Sequence, residues 1–204
     1  MRGTLIIFVK APVAGRVKTR LAAETGAARA AMIFRILTAN TIAAVSKGPW
    51  RTMIAVDPPA AAGRFGALWP RRFDRLIQSR GDLGRRMGDA FARTPRGPKI
   101  IIGADAPDIR AAHIRAAFRA LAGHDAVFGP AADGGYWLIG LAGRRPAAGL
   151  FDGVRWSSAY TLADTVKNLA ASRIFMLATL QDIDNGADLK THGARAFSRT
   201  NIRR

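Results

Sequence analysis

Seven short apolar runs recur along the chain, at Leu5–Val9, Thr52–Val56, Arg75–Gln78, Lys99–Ile102, Asp125–Phe128, Tyr136–Leu141 and Ile174–Leu177. Each is four to six residues long and bounded by Gly, Pro or charged residues, which predicts strands rather than helices. Helical periodicity fills the intervals. Glu24–Val45 carries Ala31, Phe34, Ile36, Leu37, Thr41 and Val45 at mixed helical spacing, and Leu83–Arg93 sets Leu83, Met87, Ala90 and Phe91 on one face. Further helices are expected over Arg110–Leu121, Ser157–Ala171 and Ala187–Phe197. Alternating strands and helices predict βαβ construction and a mainly parallel sheet. One stretch departs from the alternation. Asp125–Leu141 reads strand, Gly-rich turn, strand, so a hairpin should make the sheet mixed. No repeat, low-complexity tract or linker divides the chain, which predicts one α/β domain over residues 1–198 and a basic tail over 199–204.

Composition narrows the classes. A chain of 204 residues, 49% hydrophobic and 23% charged, has the size and balance of a soluble α/β domain. It contains no cysteine, which excludes disulfides, thiolate metal sites and a Cys nucleophile and fits a cytoplasmic location. Leu5–Val9 is too short for a secretory core, and no run reads as a membrane span. The formal net charge is +18. Arginine outnumbers lysine 26 to 6, and the arginines are spread along the whole length without interleaved aromatics. That scatter argues against nucleic acid as the main ligand and for a surface that attracts phosphorylated or acidic small molecules.

The chemistry sits where strands end. Leu5–Val9 opens into a Pro/Gly loop carrying Lys10, Arg16, Lys18 and Arg20 ahead of a helical stretch, one way to hold nucleotide phosphates. The competing reading is a solvated basic turn. Lys99–Ile102 runs into Gly-Ala-Asp-Ala-Pro-Asp, and ligands of open α/β sheets bind beyond the carboxyl ends of strands. Asp105 is therefore expected to face a ligand or a divalent metal, and Asp108 to cap the next helix. Asp133-Gly134-Gly135 is either a plain hairpin turn or a ligand contact beside Tyr136 and Trp137. Asp182-Ile183-Asp184 comes after the last apolar run, and Asp184 is either a helix cap or a second metal carboxylate with Asp105. Asp57 also ends a strand, but Pro58-Pro59 come next, which favours a loop role. His113, His124 and His192 are isolated, and neither the Walker spacing nor a dinucleotide glycine fingerprint is present.

Six segments in order, FVKAPVAGRVKTRL, QSRGDLGRRM, IIGADAPDI, GPAADGGYWLIGL, VRWSSAYTL and QDIDNGADL, resemble a glycosyltransferase-A-type family of bacterial proteins. That family is described as radical-SAM/selenodomain-associated glycosyltransferases, and its fold group includes 2-phospholactate and molybdenum-cofactor guanylyltransferases. The resemblance covers nearly the whole chain. It implies a nucleotide-diphospho-sugar-transferase-like fold, a mixed sheet between helices. It also implies that Lys10, Ala11, Pro12, Gly15, Arg16, Lys18 and Arg20 surround the nucleotide, with Gln78, Gly81, Asp82, Leu83 and Gly84 in a loop nearby. Asp105 would stand for the metal carboxylate of a D-x-D site, although the chain has Asp-Ala-Pro-Asp there. Asp133, Gly134, Gly135, Tyr136 and Trp156 would face the acceptor or sugar.

The leading expectation is glycosyl transfer from a nucleotide sugar to a small-molecule acceptor. In it Asp105 and Asp184 hold Mg²⁺ or Mn²⁺, and Asp133 serves as the base for the acceptor hydroxyl. Nucleotidyl transfer to a phosphorylated acceptor is the alternative and needs no protein base. A non-catalytic nucleotide-binding protein is the third reading.

Overall fold

The computed structural model describes residues 3–63 and 68–197, with the backbone alone over 192–197. Its centre is a seven-stranded sheet. The strands are β1 (Thr4–Lys10), β2 (Arg51–Asp57), β3 (Asp74–Ile77), β4 (Lys99–Ile102), β5 (Ala126–Pro130), β6 (Tyr136–Leu141) and β7 (Ile174–Met176). Their spatial order is β3-β2-β1-β4-β6-β5-β7. Only β6 runs antiparallel to its neighbours, β4 and β5. The expected hairpin is thus present, and the sheet is mixed and mostly parallel.

The central strands are apolar on consecutive residues because both faces are covered. Leu5, Ile7 and Val9 of β1 point to one face with Ile54, Val56, Ile100 and Ile102. Ile6 points to the other with Met53, Ala55, Ile101, Phe128 and Ile139. The first face is covered by α2 (Ala27–Val45) and α4 (Ala111–Ala120), through Ile42, Val45, Ile114 and Ala117. The second is covered by α3 (Leu83–Arg93), through Met87, Ala90 and Phe91, and by α5 (Thr161–Lys167), through Leu162 and Val166.

Four expectations change. The helix expected over Glu24–Val45 is two helices, α1 (Thr19–Thr25) and α2, because Gly26 between them has φ +87°. The helix expected over Ser157–Ala171 shrinks to α5. Ser157 has φ +56°, and the Ser158 and Thr161 hydroxyls both donate to the Arg155 carbonyl, making a turn of the first four residues. Asp108 does not cap α4. It pairs with the Arg110 guanidinium at 3.2 Å, while the Arg110 N–H is accepted by His113 Nδ1. Finally, α2 is long and apolar enough to cross a bilayer, where no run was expected to be, yet half of it is buried inside the protein as a core helix. The sixth helix, α6, spans Gly186–Phe197. The side chain of His192 and the tail over 199–204 lie outside the described residues.

Candidate functional site

The direction in which the sheet is built reverses between β1 and β4. Strands β2 and β3 are laid down on one side of β1, and β4 on the other. A crevice opens at such a switch point beyond the carboxyl ends of the strands. It is a cavity of about 500 Å³ at the ends of β1, β2 and β4, walled by the loop after β1 and by the start of α3.

Lys18 stands at its centre. The residue adopts a left-handed backbone, φ 46° and ψ 52°, just before α1, and its side chain is only 6% exposed. Its Nζ donates to Asp105 Oδ2 at 2.9 Å and to Asp184 Oδ1 at 2.6 Å. Burial alone would depress the lysine, but the two carboxylates outweigh it and hold the ammonium protonated well above its usual range.

Asp105 projects from the bend after β4, where Gly103 lies close enough that a Cβ would sit 3.1 Å from the carboxylate. Asp184 arrives from the other end of the chain. Leu180 N–H donates to the Pro130 carbonyl and Ala132 N–H to the Leu180 carbonyl, so the segment after β7 continues alongside the end of β5. Ile183, fully buried against Leu21, Ala30, Ile33 and Leu37, then fixes the carboxylates that flank it. The N-terminus of α6 is capped by a reciprocal pair. Asn185 Oδ1 accepts from the Asp188 N–H, and Asp188 Oδ2 accepts from the Asn185 N–H. Asp184 is therefore spared from capping and faces Lys18.

Asp182 completes the group. Asp105, Asp182 and Asp184 each offer an oxygen, all within 4.8 Å of one another. Burial and the two neighbouring charges push the Asp182 carboxyl up to about 6. Three clustered carboxylates form an all-oxygen set suited to a hard divalent cation, with water completing the shell. The Lys18 ammonium is already drawn to that position, which fits a site for positive charge.

Lys10, Arg16 and Arg20 line the same cavity and are exposed. Gln78 also lines it, but its amide nitrogen donates to the carbonyls of Val9 and Ala55, and its oxygen accepts from Arg86 at 3.2 Å. It braces the ends of β1 and β2. Arg86 also pairs with Asp57 at 3.4 Å. Asp57 is thus a wall of the cavity and not merely a loop residue.

Other expected residues are not brought to the cavity wall. Asp82 caps α3 by accepting the Arg85 N–H at 2.8 Å, Gly81 has φ +117°, and a Cβ on Gly84 would strike Trp156 at 2.6 Å. Those three residues serve the turn and its packing. Ala11 is buried, and neither it nor Pro12 or Gly15 lines the cavity. Asp133 accepts the Gly135 N–H at 2.9 Å, and a Cβ on Gly134 would lie 2.3 Å from the Ala159 carbonyl oxygen. Tyr136 packs edge-on to Phe128, and Trp156 packs on Phe151. The turn leaves the same end of the sheet as β4 but lies outside this cavity.

Sequence reasoning missed Asp57 and Arg86 as parts of the wall, and Asp182 as the third member of the carboxylate cluster. Asp182 carried a signal, an acidic residue on each side of a buried isoleucine. Arg86 carried none beyond its place in QSRGDLGRRM.

The profile of a family described as an uncharacterized protein conserved in bacteria (DUF2064) matches residues 39–158. No match to the chain is found among curated proteins. Among solved structures, the chain is similar to a putative nucleotide-diphospho-sugar transferase from Desulfovibrio desulfuricans G20. The identity is 27%, over 96% of this chain and 97% of that one, with a TM-score of 0.86. It is also similar to CMP:2-keto-3-deoxy-manno-octonic acid synthetase complexed with CTP, at 10% identity, 97% and 98% coverage and a TM-score of 0.59. A third similar structure is Rv0371c complexed with manganese, from Mycobacterium tuberculosis H37Rv, at 15% identity, 94% and 97% coverage and a TM-score of 0.56. The last two likenesses carry the fold alone. The fold is that of nucleotide-diphospho-sugar transferases and nucleotidyltransferases.

Proposed function

This chain belongs to the DUF2064 family, and from that premise we propose that it is a metal-assisted transferase acting on a nucleotide-activated donor. The reaction that its geometry favours is nucleotidyl transfer to a small phosphorylated acceptor. One observation carries this choice. The three aspartates that line the cavity are all paired with cations, Asp105 and Asp184 with Lys18 and Asp57 with Arg86. Asp133, expected as the base for a hydroxyl acceptor, lies outside the cavity with its carboxylate engaged in a turn. With Asp182 taken up in the metal cluster, no carboxylate in this arrangement is left over as a base, which suits a nucleophile that already carries negative charge, as a phosphate does.

Asp105, Asp184 and Asp182 would hold Mg²⁺ or Mn²⁺, the hard cations that a set of three carboxylate oxygens suits. When bound, the cation supplies neutralisation of the phosphate charge and fixes the phosphates' orientation. Arg16, Arg20 and Lys10 grip the donor's phosphates by charge-assisted hydrogen bonds. An acceptor phosphate oxygen attacks the α-phosphorus, the bond from that phosphorus to the oxygen bridging to the β-phosphate breaks, and pyrophosphate leaves with the electron pair. The same arginines stabilise the charge that grows on the leaving group.

A second reading is favoured by one specific observation, the end-to-end likeness to the Desulfovibrio protein. In that reading the donor is a nucleotide sugar and a nucleoside diphosphate leaves.

Product analysis separates the two. The protein is incubated with Mn²⁺, each of the four nucleoside triphosphates and a panel of phosphorylated small molecules, and in parallel with nucleotide sugars. Pyrophosphate release supports the first reading, and nucleoside diphosphate release from a nucleotide sugar the second. Absence of binding to either donor class by calorimetry overturns both.

A further inference from the structure

Lys18 presents a conflict that the proposed function leaves open. Its ammonium sits 2.6 Å and 2.9 Å from two of the three carboxylates that would hold the cation. A divalent ion bound by those groups lies about 2.0–2.2 Å from its oxygens, so it and the ammonium would be held side by side, competing for the same carboxylates in a half-buried site. Like charges that close do not share such a site.

We propose that Lys18 is a resident counter-ion, which holds the carboxylates together in the metal-free protein and must leave before the divalent cation binds. This rests on the reading of Asp105, Asp182 and Asp184 as the metal site. Three observations support it. The side chain is 6% exposed and meets two carboxylates 87 and 166 positions away in sequence, so the pairing is built by the fold. The residue begins a helix from a left-handed backbone, with Val17 before it buried against Ala31 and Phe34, so the ammonium can leave by a swing of the side chain into the open cavity while the backbone stays in place. The cavity that the ammonium borders is also lined by Lys10, Arg16 and Arg20, so an anionic donor is drawn to where a displaced ammonium can meet it.

The consequence is linkage. Donor phosphates offer Lys18 a second anionic partner and free the carboxylates, so donor and metal strengthen each other's binding by the same factor. Without a donor, the lysine suppresses metal affinity.

The test measures Mn²⁺ binding to the full chain at pH 7.5, with metal alone, by the electron paramagnetic resonance signal of free Mn²⁺. Lys18→Met keeps the length of the side chain and removes the charge. It is expected to bind Mn²⁺ at least tenfold more tightly than wild type, whereas Lys18→Arg stays weak. A folded Lys18→Met that binds no tighter than wild type overturns the proposal. Should that variant fail to fold, amine labelling of wild type read by mass spectrometry decides. Lys18 is expected to be protected without metal and to become reactive when Mn²⁺ saturates the protein; continued protection in the saturated state overturns the proposal. Lack of Mn²⁺ binding by both wild type and Lys18→Met would remove the metal site itself. Binding by both with equal affinity removes only the role of Lys18.

Discussion

Asp105 and Asp133 look alike in sequence, each a carboxylate beside small residues just beyond an apolar strand, and the fold treats them in opposite ways. Asp105 lies in the bend just after β4, at the point where the sheet changes direction, and a buried lysine and two distant aspartates meet it there. Asp133 sits in the turn joining β5 to β6, where its oxygen accepts the Gly135 N–H and its neighbour Gly134 is wedged against the backbone of Ala159. The difference lies in the element that each strand leads into. A strand that leads into a crossover helix leaves its end open to a ligand, whereas one that returns as a hairpin uses its polar groups to close the turn.

The largest expected effect is at the first of these positions. Asp105→Asn should lower product formation by about a thousandfold while leaving the fold intact, since it removes one charged oxygen donor from the phosphate site. Asp133→Asn should change the rate less than about threefold; a loss as deep as that of Asp105→Asn, at unchanged Tm, would erase the contrast. Next comes Gly134→Ala, which puts a Cβ 2.3 Å from the Ala159 carbonyl oxygen on a backbone with φ +85°. It should cost roughly 2–4 kcal/mol in urea unfolding, with nucleotide affinity unchanged in the folded protein. Arg16→Ala and Arg20→Ala should each weaken nucleotide binding about tenfold, close to 1.4 kcal/mol, by calorimetry; unchanged binding would return the loop to a solvated basic turn.

The smallest effect depends on pH. Asp182 titrates near 6 in the folded protein against 3.8 as its ordinary value, so the folded state takes up the proton more readily than the unfolded one. Its contribution to stability is therefore most favourable below about pH 4 and is lost as the pH rises through 6. Asp182→Asn should raise the Tm of the metal-free protein at pH 8, by the equivalent of about 1 kcal/mol at a partly open site, with no gain at pH 4. Equal gains at both pH values would detach Asp182 from the charged cluster.

Much of the sheet was legible because its central strands are buried on both faces and so read as unbroken apolar runs; β4 and β6 begin and end where the pattern places them. Gly26 was harder to read, since a glycine inside a helical pattern signals a break only when its φ is known. At the site, the sequence carried Lys10, Arg16, Lys18, Arg20, Gln78, Asp105 and Asp184 into the cavity wall. It could not carry the contact between Lys18 and Asp184, which spans 166 positions and exists only once Ile183 docks on α1 and α2. Local spacing holds no record of such a pairing. Asp133 failed for a related reason, because Asp-Gly-Gly reads the same whether the turn serves a ligand or its own closure.

Ile183 also bears on how the molecule comes apart. The segment from Leu180 to Asp188 is held by that one buried side chain, by a short ladder to the end of β5, by the Gly186 N–H donating to Glu24 and by the Lys18 ammonium on Asp184. Such a strap is a natural first unit to open, well before the sheet unfolds. Its detachment would carry away Asp182 and Asp184 and leave Asp105 with Lys18 alone. Any ligand that gathers the three carboxylates thereby clasps the late part of the chain to the early part, and limited proteolysis near residue 180 should slow whenever that clasp is fastened.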